Sequence, residues 1–439
     1  MFRALRYLAV LAALVAGAVW LADNAGAVTL NWRGWRIDTS VAVLLTAVAV
    51  VTVAAGILYR LWLFAARAPG ELRETWRLRR RERGYRALTR GMVAVAAGDG
   101  AEARRQARRA EGLLNEPPLT LLLQAQSAQL SGDEQAAARF FAAMAARPET
   151  EFLGVRGLLG QAAKRDDRAG ALDLARRAWR LKPKSGWVAG VLFDLEVKES
   201  RWLDALATLD AAIDAGAVDK AAGRRRRVAL LVELARAERQ RGEARVEDVQ
   251  RFAGEAHKLA PDSIPAALAF ADALLARDKR RKAAGVIERT FALAPHPDLA
   301  ALYPRTRGAE GALAAAREVR DLTRAVADRP EGRLALARAM IEAKLWGEAR
   351  AALDGFGENP PARACRLMAE IEDAERDDAT AARQWLLRAA MAEVDPAWTC
   401  ESCGTAAPEW RAVCAKCGAF DTAAWRAPAI GPARIAPPR

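Results

Sequence analysis

Gly132–Pro148 reads GDEQAAARFFAAMAARP: a turn signal, a run of small residues interrupted by two phenylalanines, and a closing proline. Counted back from Pro148, Ala136, Phe140 and Ala143 recur at intervals of four and three, which places them on one face of a helix. A small, a large and a small residue in that order let a partner helix approach closely while the large side chain fills the groove between them. The punctuation then repeats. Turn signals at Gly98-Asp99, Gly132-Asp133, Asp166-Asp167 and Ser200-Arg201 lie 34 residues apart. Prolines keep nearly the same beat, 35 residues from Pro148 to Pro183, 34 from Pro261 to Pro295, and 35 both from Pro295 to Pro330 and from Pro361 to Pro396. A generic bundle has no cause to repeat at a fixed interval, whereas a helical pair that cannot bury its apolar face alone must stack on copies of itself.

That period belongs to helix-turn-helix repeats of the tetratricopeptide type. Pro183 selects Ala171, Ala175 and Ala178 as the packed set, and an unpunctuated repeat offers Ala205, Leu209 and Ala212. In the first repeat Gly91 takes the small position of the leading helix, with Ala103, Ala107 and Ala110 in the second; Ala283 and Ala349 hold the equivalent place later. Near Pro330 the count gives Glu318 where alanine is expected, so that repeat should be irregular. Residues 84–394 are expected to hold eight or nine such units, an all-α solenoid whose concave surface binds proteins. The Arg224–Arg227 run points in four directions on a helix and reads as a solvated face.

N-terminal to the repeats, Val41 to Tyr59 carries no charge and approaches the roughly 20 residues that cross a bilayer. Residues 60–90 then hold ten arginines against Glu71, Glu74 and Glu82, a large share of the chain's net charge of +14. Basic excess beside one end of a span keeps that end cytoplasmic. Such clusters gain roughly 1 kcal/mol per residue from an anionic leaflet, so the charge points to membrane rather than nucleic acid, either through anionic lipid or as a topology determinant with no lipid specificity. Tyr7 to Ala22 forms an earlier uncharged run after Arg3 and Arg6. It reads as an uncleaved helix in preference to a signal peptide, although Ala25-Gly26-Ala27 has the small-residue pattern of a cleavage site. Residues 1–66 are therefore expected to form a two-helix transmembrane hairpin with a short periplasmic loop, Trp32 and Trp35 lying at the interface. Residues 67–83 follow as a basic juxtamembrane helix, and both termini are expected in the cytoplasm.

At the other end, Cys400, Cys403, Cys414 and Cys417 form two CxxC knuckles, and Gly404 and Gly418 follow each second cysteine. Four thiolates at this spacing can converge on a tetrahedral metal at about 2.3 Å. The glycines permit the turn that aims backbone amides at sulfur. Disulfides and a CxxC redox site compete with this reading, and a reducing cytoplasm disfavours the former. With all four positions filled by protein sulfur, the site reads as structural Zn2+, iron being chemically possible. Residues 395–426 are expected to be a small zinc ribbon with four cysteine ligands, and with Trp398, Trp410, Phe420 and Trp425 as its apolar core. Residues 427–439, rich in proline, are expected to be a disordered tail.

Cys365 stands among apolar residues and reads as a buried structural thiol. His257 and His296, the two imidazoles of the chain, could ligate haem iron in principle, but isolated histidines in repeat helices and turns usually serve packing. The sequence shows neither a glycine-rich phosphate loop at a strand-to-helix junction nor a nucleophile elbow, so a catalytic role is not expected.

Taken with the Trp32-Arg-Gly-Trp35 loop, the Leu61-Trp62 exit, the Pro69-Gly70 turn and the Arg83-Gly84-Tyr85 to Gly91 entry, the chain resembles the HemY family of proteobacterial inner-membrane tetratricopeptide proteins. The terminal Cys400 to Trp425 pattern is similar to an extension found in some members, and to the rubredoxin-like module of the lipopolysaccharide-assembly regulator LapB. The resemblance implies a multi-pass inner-membrane protein with a non-enzymatic scaffold role in a late step of haem synthesis, its partners being haem-biosynthesis enzymes. A LapB-like envelope adaptor and direct haem or porphyrin binding are the alternatives.

Overall fold

The structure, a computed structural model, describes residues 2–23, 26–114, 116–242 and 246–428. The expected tail at 429–439 lies outside the described residues, as does Ala25 of the small-residue triplet. The fold is helical throughout the repeats, and the chain divides into two compact units, one ending at Ala137 and one beginning at Ala138.

In the first unit an apolar helix α1 (Phe2–Asp23) precedes a feature absent from the expected loop. Strands β1 (Ala27–Trp32) and β2 (Trp35–Ser40) pair antiparallel, with Ala27 opposite Ser40 and Trp32 opposite Trp35. Arg33 and Gly34 both take positive φ, 53° and 88°, the conformation that a two-residue type I′ hairpin demands. Ser40 then caps α2 (Val41–Ala96) by accepting from the Val43 amide at 3.4 Å.

This helix runs unbroken for 56 residues, about 84 Å at 1.5 Å per residue. Val41–Leu63 within it is long and apolar enough to span a membrane, and none of it is buried. The turn expected at Pro69-Gly70 is therefore corrected: the helix passes through it, and residues 67–83 are helical as part of the same element. Proline's fixed φ is already helical, so it forfeits one amide hydrogen bond without forcing a turn. The last part of α2 packs on α3 (Gly100–Leu113) through Ala87, Leu88, Ala107 and Ala110, with Leu123 from α4 (Pro117–Leu130). The Gly84 and Gly91 positions follow from that contact, since a Cβ at either would stand 2.5 Å from Leu114 or Leu123 respectively. Tyr85 donates to Glu116 at 2.6 Å, and Arg81 joins the same carboxylate at 2.8 Å.

Helices continue in pairs: α5 (Glu134–Ala145), α6 (Glu151–Lys164), α7 (Arg168–Leu181), α8 (Gly186–Lys198), α9 (Trp202–Asp214) and α10 (Lys220–Gln240). After them come α11 (Val246–Leu259), α12 (Ile264–Leu275), α13 (Arg280–Leu293), α14 (Pro297–Arg307), α15 (Ala312–Thr323), α16 (Pro330–Glu342), α17 (Trp346–Asp354), α18 (Ala362–Arg376) and α19 (Ala379–Met391). The buried set in the second helix of each pair keeps strict time. Ala103, Ala107 and Ala110 give way to Ala137, Phe141 and Met144, then Ala171, Ala175 and Ala178, then Ala205, Leu209 and Ala212, each 34 residues on.

The expected Ala136, Phe140 and Ala143 are thus one residue out of register. Helix α5 unwinds early, after Ala145, so Pro148 stands four residues past Met144 where Pro183 stands five past Ala178. Phe141 is the side chain that Gly157 was made to admit, a Cβ there lying 2.2 Å from its ring. Near Pro330 the irregularity is present, with Ala316, Val319 and Leu322 buried and Glu318 instead accepting from Arg307 at 3.0 Å. Between Ala205 and its counterpart Val249 the interval stretches to 44 residues, because α10 is 21 residues long.

Replacing a buried aromatic costs about 3–5 kcal/mol, so Phe141→Ala should lower stability by that amount in urea unfolding of the solubilised protein, and Phe140→Ala by under about 1 kcal/mol. The reverse order would restore the register counted from Pro148.

Candidate metal centre and its docking face

The C-terminal ribbon is a three-stranded antiparallel sheet, β3 (Ala397–Cys400) between β4 (Ala406–Ala407) and β5 (Ala423–Arg426). Its knuckles are built alike. The Cys400 amide donates to the Thr405 carbonyl at 2.9 Å and the Gly404 amide to the Cys400 carbonyl at 2.8 Å; Cys414 to Ala419 and Gly418 to Cys414 repeat this at 2.9 Å each. Gly404 and Gly418 make these turns at φ +71° and +69°, where a side chain is strained.

The four cysteine sulfurs all lie within 4.8 Å of one another. Cys400 to Cys417 and Cys403 to Cys414 are each 3.7 Å apart. Four sulfurs placed about 2.3 Å from a common centre in a tetrahedron have edges of about 3.8 Å, so the donor set fits a metal ion of that geometry. Thr405 Oγ1 lies 3.3 Å from Cys403 Sγ and Thr422 Oγ1 lies 3.1 Å from Cys400 Sγ. The Thr405 hydroxyl and amide hold the Cys403 thiol down at about 6, while burial pushes Cys417 up to about 12, so Cys403 is the sulfur readier to be a thiolate of the two.

The ribbon's aromatic residues do more than pack within it: Trp398 and Trp425 lie against one another, and all four also meet the repeat helices. Trp398 is buried in one cluster with Leu299, Leu302 and Tyr303, and Trp410 packs there and against a second cluster containing Val228 and Val232. Phe420 sets its edge on Phe193 with ring centres 5.2 Å apart. Trp425 meets His296 at 4.2 Å and Trp398 at 5.5 Å. These contacts come from α8, α10, α12 and α14, each the first helix of its pair.

Polar contacts fix the same interface. Arg225 pairs with Asp421 at 3.1 Å and Glu401 at 3.6 Å, and donates to the Asp421 carbonyl at 3.2 Å. Arg236 reaches the Trp410 carbonyl at 3.4 Å, and Glu233 accepts from the Ala412 amide at 3.2 Å. Arg224, Arg225 and Arg226 are exposed, as a solvated face should be; within that exposure Arg226 lies over the Phe193 ring, and half-buried Arg227 bridges Asp210 and Glu255. Beside the docked ribbon a cleft of about 930 Å³ remains, bordered by Asp166, Lys198, Trp202, Arg236 and Cys414. Sequence reading gave Arg225 no partner and missed Glu233 and Arg236; the 44-residue interval that α10 creates is the signal that marks their helix.

Both histidines are buried residues. His296 is 1% exposed and caps α14, its Nδ1 accepting from the Asp298 amide at 3.2 Å. His257 is buried beside Phe270. Cys365 is buried as expected, its thiol directed at the Pro360 carbonyl at 3.7 Å.

A helical-repeat protein of the tetratricopeptide type, with one apolar helix of membrane-crossing length and a four-cysteine cluster among the described residues, is what these features define. Residues 26–132 match the family described as HemY protein N-terminus. Over that segment, about a quarter of its length, the chain is similar to the HemY family. It is 28% identical over 426 residues to a protein of Magnetospirillum gryphiswaldense described as probable magnetosome protein Mms48, covering 94% of this chain and 90% of that one. Among solved structures, a tetratricopeptide repeat protein from Parabacteroides merdae is 11% identical and covers 70% of this chain and 99% of its own, with a TM-score of 0.29. The TPR2AB-domain:pHSP90 complex of yeast Sti1 is 14% identical, covers 70% and 98%, and has a TM-score of 0.28.

The centre is expected to retain metal through purification, read by elemental analysis, and Cys403→Ser combined with Cys414→Ser should abolish it. A wild-type ribbon that is folded and metal-free overturns the assignment.

A second prediction concerns pH. Burial, with the Arg363 guanidinium nearby, holds His296 at about 4 against its ordinary 6.5. The unfolded chain then takes up a proton below about pH 6.5 that the folded chain refuses until about pH 4, so stability falls as pH drops through that window. The shift corresponds to roughly 3–4 kcal/mol. Urea unfolding at pH 7 and pH 4.5 should show His296→Gln losing less stability than the wild type by most of that amount; equal losses would exclude His296 as the source.

Proposed function

We propose that the protein is a non-enzymatic, membrane-anchored scaffold that holds enzymes of a late step of haem synthesis through its repeats. The observation that carries this reading is α2: one helix contains both the candidate span Val41–Leu63 and the first helix of the repeats, inside the segment that matches the HemY N-terminal family. A repeat array built onto a span is suited to holding soluble partners at a bilayer. The anchor is read as multi-pass, α1 and the span of α2 crossing the inner membrane with both termini cytoplasmic. The exposed Arg77, Arg79, Arg80 and Arg83 on α2 lie against anionic headgroups at the inner leaflet. The metal is read as structural Zn2+, since Cys400, Cys403, Cys414 and Cys417 fill a tetrahedron with no position left for substrate.

The likeness along nearly the whole chain to a probable magnetosome protein favours a second reading, in which the same scaffold serves magnetosome proteins instead. One experiment separates the two and tests the topology. A membrane-impermeant crosslinker added to inverted membrane vesicles should join the repeats to haem-synthesis enzymes. Recovery of magnetosome proteins alone selects the second reading, and capture only when the reagent is added outside intact spheroplasts overturns the orientation.

A further inference from the structure

Trp398, Trp425 and Phe420 on the ribbon are matched by His296, Tyr303 and Phe193 beneath it, and Glu401 and Asp421 by Arg225. The ribbon thus occupies the face of the second unit formed by the first helices of the pairs. Repeat arrays use that face for partners.

Its hold depends on the knuckles. Glu401 follows the ligand Cys400 directly, and Asp421 lies four residues after Cys417, its amide bonded to the Ala412 carbonyl at 2.7 Å. Arg225 therefore grips two carboxylates that stay in position only while the knuckles are closed. A module of this size cannot bury enough surface to fold unaided. Here the largest aromatic side chains are spent on the docking face, so metal is what keeps the sheet and its acids in register.

We propose that the ribbon is a metal-dependent cover: metal-loaded, it occupies the partner face as an intramolecular ligand; stripped, it releases a face that selects protein segments bearing acidic and aromatic side chains. The face it leaves presents Arg225, Arg226 and Arg236 around the slots of Phe420 and Trp425. The ribbon follows α19 after a few residues, which gives it an effective concentration on the order of millimolar and keeps weak competitors out while metal is bound. The partner chemistry rests on the scaffold reading; the cover itself does not.

The test uses the full chain in detergent with hydroxyl-radical footprinting read by mass spectrometry. Removing zinc with a chelator should raise oxidation of Phe193, Trp398 and Phe420 by about tenfold, as expected of a local opening, while Phe291 and Leu209, buried between helices, stay protected. Arg225→Glu should open the same three residues with zinc still present by elemental analysis. Continued protection of Phe193 in both cases overturns the cover, and so does equal oxidation of Phe291 and Leu209, which would make the ribbon a strut for the whole unit. A labelled peptide of sequence Phe420–Arg426 should bind the stripped protein and not the zinc-loaded one; binding in both states or in neither overturns the selectivity. The footprint needs no partner, so it stands or falls separately from crosslinking to haem-synthesis enzymes.

Discussion

Close approach of paired helices is the constraint on which the repeats depend. At Ala103, Ala137, Ala171 and Ala205 the second helix of each pair presents almost no side chain, and the buried position four residues on carries whatever the gap requires, from Ala107 to Phe141 to Leu209. The gap varies because the facing residue varies. Phe141 needs Gly157 opposite it, and Gly154 sits so near the backbone of α5 that a Cβ would be 2.3 Å from the Ala145 amide. Dispersion contacts are lost steeply with separation, so a methylene too many or too few at these positions matters more than any surface ion pair.

A ribbon of this size faces the opposite difficulty, too little interior of its own. It solves the problem twice, by drawing four thiolates to one centre and by lending its aromatic residues to the repeats. The cost falls on regularity. Helix α10 is lengthened to 21 residues, and from it Arg225, Glu233 and Arg236 all reach the ribbon. The longest departure from the 34-residue beat is thus the place where a second structural element has to be accommodated.

Much of this was legible in the sequence. The period fixes the class of repeat because it reports stacking, and the two CxxC-Gly knuckles report a centre because tetrahedral coordination dictates both ligand count and turn. What escaped was set by tertiary context. Pro148 marks the end of a helix, but the packed face is defined by the neighbouring helix, so a helix that unwinds early throws the count off by one. The Arg33-Gly34 hairpin was hidden because arginine is a rare occupant of positive φ. The partners of the exposed arginine run on α10, Asp421 and Phe193 among them, were hidden because they are remote in sequence.

Helix α2 shows how a single element can serve three environments. Its first part is apolar on every side and its middle is crowded with arginine. Its last part turns one stripe, Gly84, Ala87, Leu88 and Gly91, toward α3 and α4. Backbone hydrogen bonding is satisfied within the helix in lipid and water alike, so neither transition requires a break. A flexible linker would let the first repeat move independently of the span. A continuous helix instead fixes the direction in which that repeat leaves the span, and Gly84, Gly91 and the Tyr85–Glu116 hydrogen bond then set how α3 and α4 pack around it. The same residues that look like a family signature in the sequence are the joint between the candidate membrane span and the first repeat.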